Sequence, residues 1–122
     1  MSRAKDILVN KQIFIIEDPK RGKFNPYVGY LVRVKWKRPW GKKPAGFTAQ
    51  GVLTWTFCKY GRTLIGEIIT ESGKIVSCPW SRNYLEIGVI GPAEGDLLRW
   101  AANRRMRVNL PVPTWIAAAL DS

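Results

Sequence analysis

The segment Val28-Gly29-Tyr30-Leu31-Val32-Arg33-Val34-Lys35-Trp36-Lys37-Arg38 alternates with a period of two. Val28, Tyr30, Val32, Val34 and Trp36 point one way, and Arg33, Lys35 and Lys37 point the other. This is the pattern of a strand with one buried face, and it spaces the three charges about 6.7 Å apart on a single face of a sheet. The apolar set must meet a core. The charged set must meet water or an anionic partner.

On the C-terminal side, Arg38-Pro39-Trp40-Gly41-Lys42-Lys43-Pro44-Ala45-Gly46 carries two prolines and two glycines, which forbid regular structure and predict a basic loop. Trp40 is expected either to stand exposed at the loop tip or to fold back as a lid. Residues 47–57 read as a second strand, with Phe47, Ala49, Leu53, Trp55 and Phe57 on one face and Thr48, Gln50, Thr54 and Thr56 mainly on the other. A turn over residues 59–62 leads to a third strand over residues 64–70. Glu71-Ser72-Gly73-Lys74 is a hairpin turn, residues 75–78 return, residues 79–83 make a sharp connection, and residues 84–87 close the set. On the N-terminal side, residues 1–6 are polar and expected to be loose. Residues 7–9 and 12–17 read as short strands because Ile and Val dominate them. Residues 18–23 form a basic turn.

The chain changes character after residue 90. Gly91-Pro92, the acids Glu94 and Asp96, and the late cluster Arg104, Arg105 and Arg107 are the signals of a helix, which Pro111 and Pro113 end. Thr114 is placed to cap a last helix over residues 115–120. A chain of 122 residues suits one domain. The expected fold is mainly β (α+β): a small antiparallel barrel of about five strands over residues 7–90, followed by a C-terminal helical extension over residues 91–122.

Several of these features resemble SH3-like small barrels. The hairpin at Ser72-Gly73-Lys74 and the run Pro79-Trp80-Ser81-Arg82-Asn83-Tyr84-Leu85 are similar to the last turns of such domains. Gly66-Glu67-Ile68-Ile69-Thr70 followed by Gly73-Lys74-Ile75-Val76 is similar to the central hairpin of nucleic-acid-binding members, the KOW-type and integrase C-terminal domains. The resemblance covers about half the chain and implies a closed barrel. The peptide-binding SH3 domains match less well, because the loops over residues 18–23 and 38–46 are basic where that family's groove has an acidic loop.

The net charge is +11, from 20 basic and 9 acidic residues. Residues 19–62 hold Lys20, Arg21, Lys23, Arg33, Lys35, Lys37, Arg38, Lys42, Lys43, Lys59 and Arg62 and no acid, so the whole excess lies in this window. The same window holds Phe24, Tyr27, Tyr30, Trp36, Trp40, Phe47, Trp55, Phe57 and Tyr60. Cations interleaved with aromatics suit a phosphate backbone with stackable bases. Self-repulsion within such a patch costs folding stability, which a polyanionic partner offsets.

The absence of histidine removes imidazole catalysis and histidine zinc sites, and two cysteines alone cannot close a structural zinc site. Cys58 and Cys78 are expected to be buried free thiols. Glu67 and Glu71 read as an exposed strand face rather than an acid–base pair, and there is no phosphate-binding glycine loop. Neither an enzyme nor a cofactor is expected. Arg104, Arg105 and Arg107 read first as partners of the helix dipole and second as a phosphate patch. Trp36 and Trp55 are expected in the core, Trp100 against the barrel and Trp115 pinning the tail, while Trp40 and Trp80, in turn contexts, are expected to be the more exposed of the six. No apolar run reaches membrane-spanning length and no secretory signal is evident, so a cytoplasmic protein is expected.

The function these features predict is nucleic-acid binding, DNA or RNA, chiefly through phosphates and with little sequence readout. The site is Lys20, Arg21, Lys23, Arg33, Lys35, Lys37, Arg38, Trp40, Lys42, Lys43, Lys59 and Arg62. An alternative is a small basic regulator or inhibitor that seizes the acidic surface or nucleic-acid channel of another protein. A third is a ribosome-associated RNA-binding protein.

Overall fold

The computed structural model describes residues 11–122; the loose segment expected for residues 1–6 and the strand expected for residues 7–9 lie outside the described residues. The chain forms β1 (Tyr30–Trp36), β2 (Thr48–Lys59), β3 (Thr63–Thr70), β4 (Ile75–Pro79) and β5 (Leu85–Pro92), then α1 (Gly95–Arg107) and α2 (Thr114–Asp121), with a 3-10 turn at Pro19–Arg21. All strand pairs are antiparallel, in the order β4-β3-β2-β1-β5. The mainly-β expectation, the five strands and the two C-terminal helices are therefore present. The closed barrel is not: β4 and β5 form the two edges and do not pair. The sheet nevertheless curls, because Val76 and Cys78 of β4 and Leu85 and Ile87 of β5 pack into one cluster with Val32, Val34, Trp36, Leu53 and Ile68. β4 is only five residues long and ends on Pro79, which has no N–H to extend a ladder.

A second cluster lies on the opposite face of the sheet. Val52 and Ile69 pack there against Leu98, Ala101 and Ala102 of α1 and Ile116 of α2. Neighbours in sequence, Val52 and Leu53 or Ile68 and Ile69, thus face different cores. β2 and β3 are buried on both sides, which explains their nearly continuous apolar runs. α2 reaches the sheet at Gly29, whose φ of 91° suits glycine and whose missing side chain leaves room for Trp115 and Ile116.

Several expectations need correction. Residues 12–17 are not a strand: residues 11–13 are helical and the rest is irregular. Side chains satisfy this backbone in place of a ladder. The Asn25 amide donates to the carbonyls of Ile13 and Ile15 at 2.8 Å each, and the Trp80 indole N–H donates to Ile13. The strand expected from residue 28 starts at Tyr30, because Val28 and Tyr30 close turns onto the Asn25 and Tyr27 carbonyls. In β2 a bulge between Leu53 and Trp55 inverts the alternation. Leu53 and Thr56 consequently face the main core side, while Trp55 and Phe57 move to the other face, half-buried and stacked 4.1 Å apart. Thr114 is the first residue of α2 rather than its cap, which is Pro113.

Trp80, expected to be exposed, is fully buried and lies flat on the backbone of Gly66, where a Cβ would collide with the ring. Glu67, expected at an exposed edge, is buried. It accepts two hydrogen bonds from Arg104, at 2.7 and 2.8 Å, and lies 2.9 Å from the Thr54 hydroxyl. Its neighbour Arg105 is buried too, and binds Glu17 with both terminal nitrogens, at 3.0 and 2.9 Å. Arg105 also donates to the carbonyls of Thr54 and Pro111. These two arginines serve neither the helix dipole nor a phosphate patch; they lock α1 to the sheet and to the N-terminal segment. Arg107 alone of the three is exposed. Cys58 and Cys78 are both free, but only Cys78 is buried.

Candidate nucleic-acid interface

The helices cover one end of the sheet face that carries Leu31, Arg33 and Lys35 and leave the other end open. Arg33 and Lys35 are exposed there. Their cross-strand neighbours are Gln50 and Thr48 on β2 and Gly88 and Glu86 on β5. Arg33 Nε donates to Gln50 at 3.0 Å, which fixes the guanidinium across the strand pair. Glu86, directly opposite Lys35, offsets part of the charge, so the stripe is less positive than the sequence window alone implies.

The charge gathers instead around the 81–84 turn between β4 and β5. Lys37 lies just beyond β1 and its ammonium donates to the Arg82 carbonyl at 2.9 Å. Lys37 and Arg82, with Lys11, line a groove of about 450 Å³ that Glu86 also lines. Arg38 places its guanidinium 5.0 Å from the centre of the Tyr84 ring, a cation–π contact. Arg62, from the β2–β3 turn, lines a separate cleft with Trp40 and Tyr84. Among the described residues none of Lys37, Arg38, Arg62 and Arg82 lies within ion-pair distance of a carboxylate.

Trp40 is half-buried and packs on the main core. It is held by a tight turn in which Trp40 and Lys43 exchange backbone hydrogen bonds of 2.9 and 3.0 Å. Lys42 sits exposed at the tip beside Gly41, whose φ is 58°. Lys43 folds over the Phe47 ring at 4.9 Å, and Lys59 over Tyr60 at 5.4 Å. Lys20, Arg21 and Lys23 are exposed on the separate 18–23 loop, where Asp18 lies 3.6 Å from Arg21. The structure thus joins Lys37, Arg38, Trp40 and Arg62 around one turn, keeps Arg33 and Lys35 on the adjoining strand, and shows no contact from Lys20, Arg21 or Lys23 to either group.

Arg82 and Tyr84 were missed as site residues. Arg82 lies outside the acid-free window, and only the pairing of β1 with β5 brings it to Lys37. The turn signal at Ser81-Arg82-Asn83 was visible, but its partner in space was not. Among the described residues no group of three or more His, Cys, Asp or Glu side chains is placed to hold a metal ion. No family model matches the chain, and no curated protein and no solved structure matches it either.

Proposed function

We propose that this protein binds nucleic acid, mainly through phosphates and with little sequence readout. The reading rests on one observation: four cations with no carboxylate partner among the described residues, Lys37, Arg38, Arg62 and Arg82, surround the 81–84 turn, where Tyr84 and Trp40 line one cleft. Phosphates satisfy unpaired guanidinium and ammonium groups and release counterions in doing so. Among the described residues no long helix stands free to enter a major groove, since α1 and α2 are packed on the sheet.

The test is a labelled-oligonucleotide titration at several salt concentrations. With about six phosphate contacts, affinity falls by roughly a thousandfold between about 50 and 200 mM salt. Reversing Lys37, Arg38 and Arg82 to Glu abolishes binding while circular dichroism shows the fold retained. Binding that survives the reversal rules the reading out.

A second reading, attachment to an acidic protein surface, is favoured by the outer edge of β5, which no strand among the described residues pairs, beside the charged strip. It predicts capture of one protein from nuclease-treated lysate and only weak binding of all nucleic acids.

A further inference from the structure

We infer that the cleft between Trp40 and Tyr84 takes a single unstacked nucleobase, so that the ligand is single-stranded or locally unpaired nucleic acid rather than closed duplex. The inference rests on the nucleic-acid reading above and extends it from phosphates to bases.

The cleft has a volume of about 290 Å³. That is room for about ten water-sized groups, the scale of a nucleobase ring system. Trp40 and Tyr84 supply aromatic surface, and Leu64 and Pro79 supply further apolar wall. Both aromatic rings pack against the main core, so their orientation is set before any ligand arrives. Arg38 lies over Tyr84 and offers a guanidinium plane, on which bases also stack. Polar groups stand where a base edge would need them. The Ser81 hydroxyl accepts from the Asn83 N–H at 3.2 Å and keeps its own proton to donate, and Thr63 contributes a second hydroxyl. Arg62 lines the same cleft, and Arg82 and Lys37 follow on the other side of the turn, so phosphates flanking an inserted base meet cations in both directions.

A closed duplex keeps its bases stacked and paired and can offer the cleft nothing. Phosphate contacts alone favour the duplex, whose charge density is higher. A preference for single strands therefore reports on bases and not on charge.

The experiment uses the full chain and three probes of equal phosphate number per strand: a single-stranded DNA, its duplex, and an abasic oligomer with the same backbone. Binding is followed by anisotropy across salt concentrations. The single strand should bind about tenfold or more tightly than the abasic oligomer and more tightly than the duplex, with similar salt slopes for the two single-stranded probes. In Trp40→Ala the ratio of intact to abasic affinity should collapse toward one. Trp40→Phe, which keeps a stacking ring and a core contact, should restore most of it. Equal affinity for intact and abasic strands with a steep salt slope would overturn the base cleft and leave the phosphate reading standing. Salt-independent or absent binding of all three would overturn both.

Discussion

Arg105 shows how one side chain can hold three segments together. It is buried, and it bonds Glu17 from the N-terminal segment, the Thr54 carbonyl from β2 and the Pro111 carbonyl beyond α1. Its removal leaves the Glu17 carboxylate inside the protein without its counter-charge. Arg105→Ala is therefore expected to lose about 3–5 kcal/mol in urea denaturation, whereas the double change Arg105→Met with Glu17→Leu should recover only part of the loss, because an apolar pair avoids desolvating two charges but leaves the Thr54 and Pro111 carbonyls without their donor. A single variant as stable as the wild type would show that the pair contributes nothing. The cysteines divide at the same scale. Burial pushes the Cys78 thiol from 9.0 up to about 12, while Cys58 is exposed. A thiol reagent at mildly alkaline pH should label Cys58 alone in the folded protein and both on unfolding. Above about pH 9 the unfolded chain releases the Cys78 proton and the folded chain keeps it. The stability linked to this group is thus complete below pH 9 and is lost as pH rises toward 12. A Cys78→Ala variant should lose less stability than the wild type over that window.

At the scale of elements, Trp80 and Gly66 make the sharpest contact between a turn and a strand. A methyl group at Gly66 would enter the indole ring, so Gly66→Ala is expected to cost about 1–3 kcal/mol or more in thermal denaturation. Gly88 on β5 faces open space, and Gly88→Ala should stay near neutral. Equal effects at the two sites would mean that Trp80 does not pack as described. The same pair marks what the sequence disclosed. Period-two alternation was enough to place Arg33 and Lys35 outward and Val32, Val34 and Trp36 inward, because β1 is open on one face at its charged end. It misplaced Trp55 and Phe57, since one extra residue at the bulge turns a strand over. It misplaced Trp80 because a short polar connection after Pro79 looks exposed unless Gly66 is known to lie beneath it. Glu67 looked like a surface acid because its partner Arg104 is 37 residues away. Of the candidate site, the cations were legible from their segregation. Their gathering around the 81–84 turn was not, because it depends on β5 returning to β1 across the whole sheet.

For the molecule as a whole, two of the nine acids are withdrawn from the surface, since Glu17 and Glu67 are buried against Arg105 and Arg104. The remaining cations repel one another through water, and that repulsion depends on salt where the buried pairs do not. Screening shortens from about 30 Å at 0.01 M to about 10 Å at 0.1 M ionic strength. The free protein should therefore melt at a higher temperature as salt is added over this range. A bound polyanion also stabilises the fold, but its contribution falls as salt is added. A single-stranded oligonucleotide at about 100 times its Kd adds roughly 2.7 kcal/mol, or roughly 10 °C for a chain of this size. Added salt removes that gain as it dissociates the complex. Melting curves of the free protein and the complex should consequently approach each other with rising salt, one climbing and the other falling. A free protein whose melting temperature ignores salt would mean that the positive window carries no repulsive load. Its charge would then impose no stability cost for a polyanion to offset, and the steep salt dependence expected of the complex would have to come from the ligand's counterions alone.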